Sequence, residues 1–403
     1  MIKFDFDTYS KNYIDEEIFS KNFNRKEEVF SKFNNSEMIG WTRKIDNSII
    51  DEILSLRDEV KSRANCFVVV GIGGSYLGSK AINDIFSDYY EDSSFEIIYL
   101  GNNLSSKYIM DTLKYLKNKD FYVNVISKSG NTKEVEVSYE LIKSLMDEKY
   151  SEEEKRKRII VTTDSNSGKL REEVNKFNYR SFVIPSNIGG RYSLITPAHL
   201  LPLSFKLDIK KLVNGFYSGL ELKDEAMYYA SIRKSLFDTG KYIENYSVYE
   251  ENFNYFLEWL KQLFAESEGK DFKGIFPVST IGTRDLHSLG QFIQEGNPVI
   301  FETFIKILNV TDFKYENRRL DEINNIVLDS VVQAHIKSGV CCNIIEISEI
   351  DEESIGSLCA FFMLSAAYSG YLFDVNPFNQ PGVEVYKECL RNNLWGFIWK
   401  RNI

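Results

Sequence analysis

Two stretches of this chain set hydroxyls, glycines and amides where they could grip an anion. In VVVGIGGSYLGSKAI, residues 68–82, an apolar run is broken by Gly71, Gly73 and Gly74, and Ser75 then opens a helical pattern. A strand that ends in glycines and feeds a helix presents backbone N–H groups to negative charge. The spacing is GxGGSxxG, not the GxGxxG of a dinucleotide site. ISKSGNTKE, residues 126–134, repeats the arrangement: Ser127, Ser129 and Thr132 supply hydroxyls, Gly130 lets the backbone bend close, and Lys128 adds charge. Neutral donors at a helix N-terminus suit a phosphate monoester. Two such loops, at neighbouring strand ends of one sheet, favour a bound phosphate over a chance turn.

Four further residues could act on what a phosphate anchors. In HSLGQFIQEGNPVIFE, residues 287–302, positions 287–294 allow about two turns of helix, with Gln291 and Glu295 on one face. Gly296 ends that helix, Pro298 prevents its continuation, and Val299-Ile300-Phe301 reads as a short buried strand. Glu295 at such a junction could serve as a base; a solvated glutamate at a helix end is the alternative that pattern alone leaves open. In NIGGRYSLIT, residues 187–196, Gly189-Gly190 put Arg191 on a turn, where a guanidinium could steady an oxyanion or pair with a surface carboxylate. His335 falls at or beside the apolar face marked by Val327, Val331 and Ala334, as a core histidine satisfied by hydrogen bonds would. Lys387 lies beside the stripe Val383, Tyr386, Leu390 and Leu394, placed either to snorkel or to reach a ligand.

The elements that must position these groups alternate. Apolar strands are expected at Cys66–Ile72, Phe95–Leu100, Phe121–Ile126, Ile159–Thr163 and Phe182–Ile184, with helices between them. Strands apolar throughout and separated by helices indicate a parallel sheet covered on both faces. Residues 1–46 are expected as short helices wrapping a neighbour, 48–62 as an amphipathic helix, and SEEEKRKR as a solvated helix end or loop. Residues 207–245 look wholly helical, and 252–268 is the strongest helix, with Phe253, Phe256, Leu257, Leu260, Leu263 and Phe264 on one face. Strands return at Ile275-Phe276, Val299–Phe301 and Cys342–Ile347, indicating a second α/β unit; an apolar helix at 354–369, the linker VNPFNQPG and a helix at 382–394 complete the chain.

Composition narrows the class. A chain of 403 residues is long for one core, and 43% hydrophobic with 27% charged residues is ordinary for a globular protein. The net charge of -10 argues against broad nucleic-acid binding while leaving room for a small anion held by local groups. The five cysteines form no CxxC pair and suit free thiols in a reducing compartment. Three histidines without HExxH make a dedicated zinc site unexpected. MIKFDFDTYS lacks the apolar core of a secretory signal, and no run of about 18 apolar residues suggests a membrane span. A cytoplasmic location is the expectation.

GIGGSYLGSKAI, SKSGNTKE, GGRYSLIT, FAESEGKDFKGIFP, DLHSLGQFIQEG, AHIKSG and PGVEVYK occur in the order found in the glucose-6-phosphate isomerase family, and the chain resembles a bacterial member from about Val68 to Lys387. The resemblance implies an α/β fold of two sugar-isomerase (SIS) domains, each a mainly parallel sheet flanked by helices, plus a C-terminal helical segment. Residues 1–60 would form an N-terminal helical segment, 61–206 the first SIS domain with the phosphate loops, 207–375 the second with the catalytic glutamate, and 376–403 the C-terminal segment. It further implies interconversion of glucose 6-phosphate and fructose 6-phosphate through a cis-enediol, with assisted ring opening and neither metal nor nucleotide cofactor. By motif, Glu295 matches the base that moves a proton between C2 and C1, and Arg191 the group that stabilises the enediolate. His335 and Lys387 match the residues that assist ring opening. Gly74, Ser75, Ser127, Lys128, Ser129 and Thr132 match the phosphate grip, and Gln291 lines the same pocket. Members are homodimers in which the histidine reaches the site from the partner chain. Asn131-Thr132 stands where members carry a Thr-Thr pair, and Ile336-Lys337-Ser338-Gly339 where an acidic, glycine-rich turn is usual. One rival, of the same fold, would also accept mannose 6-phosphate; another, a non-catalytic sugar-phosphate sensor, would need no base.

Overall fold

A computed structural model describes the chain apart from residues 1, 9, 11, 12, 91–94, 129, 131, 402 and 403, and over 394–401 it describes the backbone alone. In chain order the strands are β1 (Ile2–Asp5), β2 (Cys66–Val70), β3 (Glu96–Leu100), β4 (Phe121–Ile126), β5 (Ile159–Thr163), β6 (Arg180–Val183), β7 (Ile243–Val248), β8 (Phe276–Ile281), β9 (Ile300–Asn309), β10 (Lys314–Tyr315), β11 (Arg318–Arg319) and β12 (Cys342–Glu349).

The first sheet has the order β3-β2-β4-β5-β6, all parallel. Its central strands are buried at every position, and the period of two divides their side chains between two cores. Phe67 and Val69 of β2 enter the larger apolar core, whereas Val68 and Val70 enter a second one with Val123, Val125 and Ile142. That double coverage is why these strands read as unbroken apolar runs. The order also makes the gap between β2 and β4 the switch point, where successive connections leave in opposite directions. In open α/β sheets a crevice lies there, outside the carboxyl ends of the strands. The GIGGS and SKSGNT loops leave β2 and β4 at that place.

The second sheet has the order β1-β12-β9-β7-β8. The four later strands are parallel, and β1 closes one edge antiparallel to β12, with Ile2 opposite Ile347. Residues 1–60 are therefore not purely helical: IKFD is too short and too mixed to show a strand pattern. The stretch 207–245 also departs from expectation. It holds helices Ile209–Gly219 and Lys223–Asp238, but then begins β7. The sequence of β7, IENYSV, buries polar side chains that hydrogen-bond to neighbouring elements, so it lacks the apolar signature. Glu244 accepts from Arg233 Nε at 2.6 Å, Tyr246 Oη at 2.7 Å and Thr303 Oγ1 at 2.8 Å, while Asn245 donates to Thr280 and Glu302. Arg233, with no exposed surface, also pairs with Glu268 at 2.7 Å.

Three helices bind the two sheets into the larger core. Asn254–Glu268 packs on Leu77–Ile85 and on β8, as its wide aromatic face predicts. Glu352–Leu372, 21 residues, is long and apolar enough to cross a membrane by length and composition, but 89% of its apolar window is buried against neighbouring elements, as in a core helix. Pro197–Leu203 lies wholly inside the same core. SEEEKRKR is an ordered helix, Glu152–Arg158, with Ser151 accepting from the Glu154 N–H as its cap. The expected 287–294 helix is instead a 3-10 turn, Arg284–His287, followed by the short helix Gly290–Glu295. The last helix, Val383–Arg401, turns its apolar stripe outward: Tyr386 is 59% and Leu390 38% exposed, and the Leu394 side chain lies outside the described residues.

Candidate active site

The loop after β2 turns tightly. Gly73 takes φ +54°, a left-handed value that favours glycine, and Gly73–Ser75 form a 3-10 turn before helix Leu77–Ile85. Gly74 meets the Arg191 loop backbone to backbone: a β-carbon on it would lie 2.3 Å from the Gly190 carbonyl carbon and 2.6 Å from the Arg191 nitrogen. The loop after β4 is pinned from two sides. Ser127 is buried, and its Oγ accepts from the Gly130 N–H at 3.0 Å, with Gly130 at φ +68°. Lys128 Nζ donates to the carbonyls of Ser186 at 3.0 Å and Ile188 at 3.4 Å, tying this loop to the segment that leads into Arg191. Burial lowers the Lys128 pKa, opposed by the charge of Asp164. Thr132 is the N-cap residue of helix Lys133–Lys149, yet its side chain makes no cap hydrogen bond. The first amides of that helix are thus open to an anion. Ser129 and Asn131 lie outside the described residues.

Arg191 is not a surface arginine. It is 2% exposed, and its guanidinium donates to Ser267 Oγ at 2.9 Å, Glu266 Oε2 at 3.3 Å, the Asn379 carbonyl at 3.4 Å and the Pro377 carbonyl. Such a fixed fork holds charge in one direction, as stabilising a developing oxyanion requires. Sequence reasoning gave no role to several of its neighbours. Glu266 and Ser267 come from the last turn of the Asn254–Glu268 helix, and Gln380 from the linker also donates to Glu266. Lys270 donates to the carbonyls of Ser267 at 2.8 Å and Asn376 at 2.6 Å. Burial first, then the nearby Arg191 charge, brings its pKa down to about 8. The signal was present in FAESEGKDFKG: four charged residues in seven, directly after a strongly apolar helix face.

The remaining predicted residues form two other groups. Gln291 donates to Glu295 Oε2 at 2.8 Å, confirming that the two share a helical face, and both are exposed. The neighbouring Gln294 donates to the Ala334 carbonyl at 3.0 Å and to Ser338 Oγ, which docks this helix on the end of Leu320–Lys337. His335, near that end, is 4% exposed, and its Nδ1 pairs with Glu302 of β9. A small cavity beside the pair is lined by Ser247, Tyr249, Thr280 and Phe304. Lys387 neither lies on a buried stripe nor touches the loops: it pairs with Glu384 at 2.7 Å on the exposed helix. Among the described residues no hydrogen bond or ion pair joins Glu295, His335 or Lys387 to the Arg191 cluster, nor does any group of His, Cys, Asp and Glu suit a metal ion.

The structure thus joins two glycine-containing loops at strand ends to a buried guanidinium and sets a solvent-open carboxylate on a separate helix. Residues 57–330 match the family model described as phosphoglucose isomerase. Over 393 residues the chain is 42% identical to a glucose-6-phosphate isomerase of Staphylococcus saprophyticus, covering 91% of this chain and 88% of the relative. It is 40% identical to that of Staphylococcus aureus over 392 residues, with coverages of 91% and 88%. Among solved structures, a hypothetical protein of Thermus thermophilus superposes with a TM-score of 0.86 at 24% identity, over 98% of this chain and 100% of that one. A glucose-6-phosphate isomerase of Chlamydia trachomatis gives 0.76 at 21% identity, over 90% and 78%. The two structures share the fold of two helix-flanked, mainly parallel sheets, and the family match runs through the loops after β2 and β4, the Arg191 turn and the Glu295 helix: the chain belongs to the phosphoglucose isomerase family.

Proposed function

We propose that this chain interconverts glucose 6-phosphate and fructose 6-phosphate by carrying a proton between C2 and C1 through a cis-enediol. The observation that carries the reading is the backbone contact between Gly74 and Gly190, which sets an anion-binding loop directly beside the arginine turn. A sugar phosphate held at its distal end presents its carbonyl end at a fixed distance, and binding energy gained on the phosphate orients the reacting carbons. In this reading the amides near Gly74, the hydroxyls of Ser75, Ser127, Ser129 and Thr132, and Lys128 hold the phosphate. Arg191 faces the enediolate oxygens, where charge develops as the proton leaves carbon. Glu295 takes the proton from one carbon and returns it to the other, with Gln291 steadying its carboxylate. His335 and Lys387 serve ring opening. The Glu302 carboxylate orients the His335 imidazole through Nδ1 and leaves Nε2 for the sugar. A homodimer that brings His335 from the partner chain would gather the groups that one chain keeps apart.

The test is a coupled assay following fructose 6-phosphate to glucose 6-phosphate in wild type and Glu295→Gln. Loss of the base lowers kcat by about 10²- to 10⁴-fold, while sugar-phosphate binding persists. Near-wild-type turnover in that variant removes Glu295 from the role.

A further inference from the structure

His199 has no part in the proposed chemistry, yet it stands between the two loops that do. It lies in the first turn of Pro197–Leu203, 2% exposed, and both ring nitrogens are engaged. The Ser79 N–H donates to Nδ1 at 3.0 Å. A backbone amide can only donate, so Nδ1 carries no proton and the ring is the Nε2–H tautomer. That N–H faces two acceptors, the Gly74 carbonyl at 2.8 Å and Ser193 Oγ at 3.2 Å. Ser193 in turn donates to the Gly190 carbonyl at 2.6 Å. Burial pushes the imidazole pKa down to about 4, which keeps the ring neutral and this pattern fixed near neutral pH.

Each partner has a place in the proposed site. Gly74 precedes Ser75 in the phosphate loop, Ser79 belongs to the helix that this loop opens, and Gly190 precedes Arg191. One neutral ring therefore links the anion site to the arginine turn across an interface with no room for a methyl group. A satisfied core histidine would need partners of any kind; this one has its partners on the two loops whose separation matters and on the helix that the first of them opens. We infer that His199 is a positioning residue that sets the distance between the phosphate grip and the Arg191 guanidinium, and with it the length of sugar phosphate the site accepts. The inference rests on the proposed isomerase reading.

Three variants test it: His199→Leu fills the space without hydrogen bonds, His199→Gln keeps a side-chain N–H able to reach Gly74, and Ser193→Ala keeps the imidazole but removes the hydroxyl that joins it to the Gly190 and Gly74 carbonyls. For each, kcat and KM for fructose 6-phosphate are measured, with inhibition constants for inorganic phosphate and for arabinonate 5-phosphate. Phosphate reads the grip alone; the aldonate, with a carboxylate at its far end, reads the grip and the arginine together. In His199→Leu the phosphate constant stays within about 3-fold of wild type, while aldonate affinity and kcat each fall about 10- to 100-fold, the effect of a misplacement near 1 Å. His199→Gln recovers part of that loss, and Ser193→Ala shows the same split at about 3- to 10-fold. Equal changes in both inhibition constants, or no change, overturn the inference. Should His199→Leu not fold, Ser193→Ala decides by the same ratio. A wild-type protein without isomerase activity would sink the proposed function itself; an active one whose ratio ignores these substitutions sinks only the role of His199.

Discussion

Arg191→Lys separates charge from geometry. Lysine keeps the positive charge but presents one nitrogen, whereas the guanidinium spreads its donors over Ser267, Glu266, Pro377 and Asn379. An ammonium on a flexible stem can satisfy about two of those four acceptors. Two lost hydrogen bonds involving a charged donor cost about 1.5–3 kcal/mol each, partly offset where water or the new amine relaxes into the gap, for a net loss of about 3 kcal/mol. Spread over the unfolding entropy of a 403-residue chain, that lowers Tm by about 4 °C. With Arg191 in its proposed role the effect on catalysis is larger, since removal of one preorganised oxyanion donor costs about 10²- to 10³-fold in kcat. Thermal melting by circular dichroism and the coupled fructose 6-phosphate assay read the two separately. A variant with the wild-type Tm and kcat within about 3-fold would show that fixed geometry at this position is irrelevant, and the argument built on burial of Arg191 would fail.

Other outcomes follow from the same contacts. Gly74→Ala drives a methyl group into the Gly190 carbonyl and raises KM for the sugar phosphate by about 10-fold or more, measured in the same assay. Lys270 is charged below about pH 8 and neutral above it, and an anionic substrate prefers the charged form. KM should therefore rise as pH passes upward through 8, and a KM–pH series on Lys270→Arg, which stays charged, should be flat there. A thiol reagent should find one fast cysteine in the folded protein, the exposed Cys389, and five after denaturation. Burial raises the pKa of Cys66 and Cys341 to about 12 and that of Cys342 and Cys359 upward as well.

Strands whose two faces both meet apolar neighbours were plain in the sequence: β2, β4 and β5 are rich in valine, isoleucine and phenylalanine, with Asn124, Thr162 and Thr163 as polar exceptions, because both cores demand them. The strand β7 was hidden for the opposite reason. Its inward side chains feed a network around Arg233, so the pattern that betrays a strand was spent on hydrogen bonds. The turns after β2 and β4 were legible because glycine spacing is local, and Gly73 and Gly130 do take left-handed φ values. The environment of Arg191 was not, since Glu266, Lys270 and Gln380 reach it from segments far along the chain. Nothing in PAHLLP, the segment around His199, reveals a ring shared by two loops far apart in sequence. The Lys387 stripe was seen correctly as a pattern but faces solvent, because periodicity says which residues share a face and not what covers it.

The antiparallel strand at the edge of the second sheet has a temporal consequence. Ile2 leaves the ribosome long before its partner Ile347 is made. At 5–20 residues per second, roughly 20–70 s pass between the two. During synthesis this segment must stay unpaired, and β12, once made, waits with a bare rim until Ile2–Asp5 returns to it. A short, charged IKFD suits that wait, since a longer greasy ribbon would invite strangers first.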